Sequence, residues 1–308
     1  MIHMATATAM TSTSIGKDLV HKHDASQVLL SELAPVGEDE FLITADWEHS
    51  SRLMTSGDST RDHAVLLTET IRQTFPLLSH AGYGVPFGDQ LMWDEYRYVL
   101  GLEALRTGGA GGQPWLRVRC HDIVRRRDRL SALSMDISVE RDGQRLATAH
   151  TRFNVQTQAV YQRLRGKQDV QQVLAAARSR PMPPPLSIGS QEFRDSVLSP
   201  TDERARWQLR IDTYHPVYFD HPSDHAPGIL LLEAAQQAAR ALSHPRPVTA
   251  EAMETVFHRY IELDAPCWVE ARSLPDDQQG RKRLLVTMYQ DGRLCFTALV
   301  SLAAEPAG

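Results

Sequence analysis

Cysteine is scarce. Cys120, Cys267 and Cys295 are the three in 308 residues, an odd number without CxxC spacing, which argues against a disulfide scaffold or a cysteine-based zinc site and fits reduced thiols. A basic excess is missing too: 33 Lys and Arg against 38 Asp and Glu give a net charge of −5 with neutral histidine, so no nucleic-acid partner is expected. No window approaches the roughly 18 consecutive apolar residues of a membrane span; the best candidate, residues 228–242, is interrupted by Glu233, Gln236, Gln237 and Arg240. Neither a GxSxG elbow nor a GxxxxGK[ST] phosphate loop occurs, which removes two common hydrolase and nucleotide-binding chemistries. The first residues, rich in Thr, Ser and Ala, lack the basic start and apolar run of a signal peptide. They are read as a disordered leader over 1–19, and the protein is expected to be cytoplasmic.

The chain has a repeat. Residues 138–148 (SVERDGQRLAT) and 287–297 (TMYQDGRLCFT) each place Asp-Gly between alternating apolar and polar residues, the signature of a tight β-hairpin. Upstream of each hairpin an apolar helix carries a Glu-x-x-x-Gln pair, Glu69 with Gln73 and Glu233 with Gln237, and each helix follows an Asp-His dipeptide, Asp62-His63 or Asp224-His225. Further upstream, 41–49 (FLITADWEH) matches 207–215 (WQLRIDTYH) as an alternating strand ending in an aromatic residue and a histidine. The first half is the longer, and its extra residues fall in 80–90 (HAGYGVPFGDQ) and the Gly-rich 107–114, both loop-like in composition. One nearly all-apolar helix per half among long alternating strands is an α+β pattern in which an antiparallel sheet wraps a central helix, a double hotdog. The boundaries read 20–167 for the first repeat, 168–205 for a linker with a short helix and the stiff PMPPP segment, and 206–304 for the second repeat.

A lone carboxylate on such a helix is costly to bury. Glu69 and Glu233 are therefore expected to face a ligand crevice; the bland alternative is a carboxylate that complements the helix dipole. Gln73 and Gln237, one turn on, share that face and can hold either the carboxylate or a ligand carbonyl. Arg72 offers a guanidinium fork for phosphate or carboxylate, or a salt bridge to its neighbour. Asp224 and His225 are most economically a helix cap and a loop residue. His21 and His23 have no third ligand at metal spacing and read as a solvated strand start. Arg117, Arg119, Arg125, Arg126, Arg127 and Arg129 form a basic cluster, either solvated surface or a rim that steers an acidic partner.

The stretch from Asp220 to Gln237 (DHPSDHAPGILLLEAAQQ), with Glu69-Thr-Ile-Arg-Gln and residues 80–93 (HAGYGVPFGDQLMW), resembles the A-factor biosynthesis hotdog family. The resemblance implies an acyltransferase that joins a β-ketoacyl group, carried as a thioester on acyl carrier protein, to dihydroxyacetone phosphate. Ring closure to a butenolide phosphate, the precursor of a γ-butyrolactone signal, then follows. It implies no cofactor and no metal, and a monomer or homodimer. Within it, Glu69 or Glu233 is the expected base, with a pKa raised by partial desolvation. Arg72 would be catalytic beside the phosphate, and Gly228 would let helix-start amides approach the thioester carbonyl. Gln73, Gln236 and Gln237 would bind substrate. Two features depart from the family pattern: Gln236 stands where an arginine is usual, and His63-Ala-Val where a proline is more frequent. Phe219 stands where hotdog dehydratases carry a catalytic histidine. A thioesterase or dehydratase, or a non-catalytic acyl- or butyrolactone-binding protein, remain the alternative readings.

Overall fold

A computed structural model describes residues 13–47, 60–107, 112–166, 169–179 and 195–304, the side chains of 13, 14, 60–64 and 107 excepted. Thirteen strands form one antiparallel sheet. The first repeat supplies β1 (Thr13–Ser14), β2 (Leu30–Gly37), β3 (Glu40–Ala45), β4 (Gln90–Leu100), β5 (Trp115–Arg126), β6 (Arg129–Arg141) and β7 (Gln144–Gln156); the second supplies β8 (Leu198–Pro200), β9 (Arg206–Leu209), β10 (Val248–Phe257), β11 (Cys267–Leu274), β12 (Lys282–Gln290) and β13 (Arg293–Ala304). Helices α1 (Thr60–Leu77), α2 (Leu102–Thr107), α3 (Gln158–Arg165), α4 (Val170–Ala176) and α5 (Gly228–Ser243) complete the described elements, with short 3₁₀ turns at Lys17–Val20 and Ala25–Gln27 and a π turn at Leu78–Gly82.

The strand order β1-β2-β3-β5-β6-β7-β4-β10-β13-β12-β11-β9-β8 is a near-palindrome. Strands β4 and β10 pair at its centre, in the register Val99↔Ala252 to Glu95↔Val256, so the repeats share one continuous sheet. Each half therefore has the hotdog order expected from the repeat, with α1 or α5 against the concave face. Alternation on β6 turns Leu133, Met135 and Ile137 inward, and β12 does the same with Leu284, Val286 and Met288. Burial of α1 is nearly continuous from Leu66 to Leu78, and α5 buries Leu230–Leu232 together with Ala234, Ala235, Ala238 and Ala239. The alanines keep α5 thin enough to lie close to the strands that wrap it. Both Asp-Gly turns form as expected: φ is +49° at Asp142 and Asp291, and +75° and +70° at Gly143 and Gly292, the left-handed pair that a two-residue hairpin requires.

Three boundaries are corrected. Order begins by residue 13, not 20, because β1 pairs with β2 and the Lys17–Val20 turn buries Val20; residues 1–12 lie outside the described residues. The second repeat begins inside the expected linker, since β8 pairs with β9. The linker helix exists as α4, whereas the PMPPP segment lies outside the described residues, as does His49 at the end of the first matched strand. The matched strands themselves stop early, at Ala45 and Leu209. Among the described residues no helix is long and apolar enough to cross a membrane.

Candidate active site

Two glutamine clamps fix the helices to the sheet, and they are the clearest trace of the duplication at side-chain level. Gln73 Oε1 accepts from Leu29 N–H (2.9 Å) while its Nε2 donates to Gln27 O (2.7 Å) and Glu69 Oε1 (3.0 Å). Gln237 repeats this: Oε1 accepts from Val197 N–H (2.9 Å), and Nε2 donates to Asp195 O (2.7 Å) and Glu233 Oε1 (2.9 Å). Each amide thereby satisfies two backbone groups just before β2 or β8 and orients its glutamate. Both glutamines thus hold their carboxylates, as one of the two expected roles required.

The two glutamates differ in burial, Glu233 being partly exposed. Glu69 is fully buried, with Oε2 accepting from Arg72 Nε (2.7 Å) and Oε1 from Arg72 Nη2 (2.8 Å), and it forms an ion pair with Lys22 Nζ (3.0 Å). Burial alone would raise its pKa; the charges of Arg72 and then Lys22, with the hydrogen bonds of Arg72 and Gln73, reverse this and hold it down at about 2. The expected raised-pKa base is thus corrected for Glu69, because two cations outweigh desolvation. Glu233 has a different partner, Arg240 Nη2 at 2.7 Å. The arginine missing at Gln236, itself buried, is supplied four residues later on the same helix.

The cleft lies between the repeats, with a volume of about 1330 Å³, and neither glutamate is among its walls. Arg72 is, and so are Gly228 and Ile229 at the start of α5. The two features that pointed to different halves therefore border one space. Arg72 spends Nε–H and one Nη2–H on Glu69, which leaves three guanidinium N–H groups outside that fork. Around it stand His21 and His221, both lining the cleft. Burial first, then His80, Arg72 and His221, push His21 down to about 3; burial and Arg72 lower His221, against the opposing charge of Asp220. His21 Nε2 stands 2.7 Å from His80 Nε2, whose Nδ1 is held by Val85 O at 2.6 Å. His21 is thus not a solvated strand start. Asp220, from the second repeat, accepts from His23 N–H (2.6 Å) and Asp24 N–H (3.3 Å) and so pins this segment in place.

Also on the cleft, α5 begins at Gly228 after Pro227, with no side-chain cap. Its first N–H groups, at Gly228 and Ile229, precede the first intrahelical bonds, Leu230 and Leu231 N–H to Pro227 O, and form an electropositive helix start on the cleft. Glycine is required at 228 by packing: a Cβ there would lie 2.5 Å from Trp93 Cε3 and Cζ3. Trp93 stacks on Phe257 (4.9 Å) and meets Phe75 edge-on (5.2 Å), and with Leu91 and Leu231 these rings make the apolar part of the lining.

Asp224 is not a helix cap. It accepts from Tyr161 OH (2.7 Å), Arg165 Nε (3.2 Å) and His225 Nδ1 (2.6 Å). Burial opposes its ionisation, but the hydrogen bonds from His225 and Tyr161 prevail and hold its carboxyl well below the usual range. Arg165 also forks onto Glu262 and lies 4.8 Å over the Tyr260 ring. With Nδ1 engaged, Nε2 is the His225 nitrogen left for a ligand, and His225 lines the cleft. Sequence reasoning passed over Lys22, Asp220, Tyr161 and Arg165, and set His21, Asp224 and His225 aside; the Asp-His dipeptide was the available signal. The arginine cluster is absent from the cleft walls: Arg117 and Arg119 are exposed on the convex face of the sheet.

The fold defines a double-hotdog protein with a large cleft between its repeats. The model of the A-factor biosynthesis hotdog domain matches residues 3–157 and 193–304, and the chain belongs to that family. The 2-oxo-3-(phosphooxy)propyl 3-oxoalkanoate synthase of Streptomyces virginiae is 41% identical over 295 residues, covering 94% of this chain and 98% of the relative. Those of Streptomyces coelicolor and Streptomyces griseus are each 34% identical, over 96% and 93% of this chain and 94% and 95% of their own lengths. A solved MaoC-like dehydratase superposes with a TM-score of 0.48 at 16% identity, over 97% of both chains.

Proposed function

We propose that the cleft between the repeats esterifies dihydroxyacetone phosphate with a 3-oxoacyl group delivered as a thioester of acyl carrier protein. The product, a 2-oxo-3-(phosphooxy)propyl 3-oxoalkanoate, is the compound named for the relatives; an intramolecular aldol-type condensation then closes the butenolide phosphate. The observation that carries this reading is the meeting of Arg72, anchored by Glu69, with the electropositive start of α5 in a single cleft of suitable volume. The outward guanidinium N–H groups suit the acceptor phosphate. The amides of Gly228 and Ile229 suit the thioester carbonyl, whose oxygen gains charge when the hydroxyl attacks. The 3-oxoacyl chain lies along Trp93, Phe257 and Phe75. His225, aligned by Asp224, takes the acceptor hydroxyl proton through Nε2 and passes it to the leaving thiolate. In this scheme Glu69 and Glu233 are positioning residues, and Gln73 and Gln237 hold them.

The test is mass spectrometry of the protein with a 3-oxoacyl carrier protein, with and without dihydroxyacetone phosphate, alongside Arg72→Gln and His225→Gln. A phosphorylated ester or butenolide that needs the acceptor is expected, with Arg72→Gln raising the acceptor KM and His225→Gln lowering kcat. Free 3-oxo acid formed without acceptor would support a thioesterase instead, and tight binding without turnover a ligand sensor.

A further inference from the structure

On the convex face of the first repeat, away from the cleft, three neighbouring strands bring two histidines and an aspartate together: His121 on β5, Asp136 on β6 and His150 on β7. Their flanking residues Cys120, Met135, Ile137 and Ala149 point inward and are buried, so alternation puts the three polar side chains on the outer surface. One ligand atom from each lies within 4.8 Å of the other two. His121 Nε2 stands 3.2 Å from Asp136 Oδ2, and His150 Nδ1 stands 2.7 Å from Asp136 Oδ1. Two ligands at tetrahedral angles on a zinc-sized ion are about 3.3 Å apart, so the first separation is already an edge of such a site.

The surroundings of His121 point the same way. Asp122 Oδ2 lies 3.1 Å from His121 Nδ1, while Nε2 is shielded from solvent, faces Asp136 Oδ2 and makes no hydrogen bond. A cation placed between these two atoms would satisfy both. The Asp122 carboxylate on Nδ1 is the kind of outer partner that orients a histidine ligand; Glu95 Oε1 stands 3.7 Å from His150 Nε2, outside hydrogen-bond range. Arg97 acts on Asp136 from the same face, and Arg97, Arg117, Arg119 and Arg145 line the neighbouring groove together with Asp136, His150 and Glu254. We propose that His121, Asp136 and His150 form a mononuclear divalent-metal site of the zinc class, completed by water, which cross-links β5, β6 and β7. Two imidazoles and one carboxylate suit borderline ions better than Mg²⁺ or Ca²⁺, which prefer oxygen ligands alone.

The experiment is a titration of the full-length protein, stripped with EDTA and desalted, with Zn²⁺ alone, by calorimetry and by thermal unfolding. His121→Gln and Asp136→Asn remove ligands, and His21→Gln controls for the separate His21–His80 pair. The wild type and His21→Gln are expected to bind one saturable equivalent at this site and to unfold at higher temperature with zinc. His121→Gln and Asp136→Asn should weaken that equivalent by roughly tenfold or more and abolish the thermal shift. No saturable binding below millimolar zinc, or equal affinity in the ligand variants, overturns the proposal. Should a ligand variant fail to fold, Co²⁺-loaded wild type decides: paramagnetic broadening confined to amides of β5, β6 and β7 supports the site, and broadening centred elsewhere refutes it.

Discussion

Replacing Glu69 with glutamine tests the reasoning about the buried charge network most directly. The substitution keeps size and shape but leaves Lys22 and Arg72, whose side chains are 4% and 19% exposed, without their shared carboxylate. Two estimates of the cost agree. A carboxyl that titrates at about 2 in place of its ordinary 4.5 contributes about 3 kcal/mol near neutral pH, and removing one partner of a buried ion pair costs about 3–5 kcal/mol. In urea at pH 7 the Glu69→Gln midpoint should therefore fall with the slope unchanged. Because the folded pKa is depressed, this contribution is complete above pH 4.5 and is lost as pH falls toward 2. The gap between wild type and variant should narrow over that window. A variant within about 0.5 kcal/mol of wild type at pH 7, or a gap that widens on acidification, would refute the assignment. In the activity assay the same variant should raise the acceptor KM more than it lowers kcat, since it loosens Arg72 and leaves His225 intact.

Gln73→Leu and Gln237→Leu should each destabilise by about 1–3 kcal/mol per orphaned backbone group, and by similar amounts, because the clamps match; a large loss from only one would break the equivalence, as read by urea unfolding. Gly228→Ala drives a methyl into the Trp93 ring and should cost about 1–3 kcal/mol with a fall in kcat/KM, and Trp93→Leu on the same background should recover part of the stability. Asp224→Asn removes the carboxylate that aligns His225 and should lower kcat by about a hundredfold or more with little change in acceptor KM; an unchanged kcat would exclude the His225–Asp224 pair from proton transfer.

The fold was legible because its signals are local and occur twice. Asp142-Gly143 and Asp291-Gly292 dictate two-residue turns, and the apolar runs around Glu69 and Glu233 can only be enclosed helices. The site was half legible. Arg72 and Gly228 stood out as a charge and a helix start, but their convergence depends on β4 pairing with β10, which no local pattern encodes. The charge network of Glu69 was hidden because Lys22, which joins Arg72 in lowering its pKa, lies just after the Lys17–Val20 turn, 47 residues earlier. The His121, Asp136 and His150 cluster was invisible for a related reason: strand register, not sequence spacing, assembles it.

The central pairing of β4 with β10 also governs how the chain is made. Strand β4 ends at Leu100 and β10 at Phe257, so the partner of the first repeat's inner edge emerges only after more than half the polypeptide has followed. At ribosomal rates of about 5–20 residues per second, that edge waits on the order of ten seconds or more with unpaired N–H and C=O groups. During this interval it is a template for any other nascent strand, and Tyr96 and Tyr98, buried in the finished sheet, lie on it. Slowing translation between residues 100 and 248 should therefore reduce the soluble yield, whereas supplying the second repeat as a separate polypeptide should restore it.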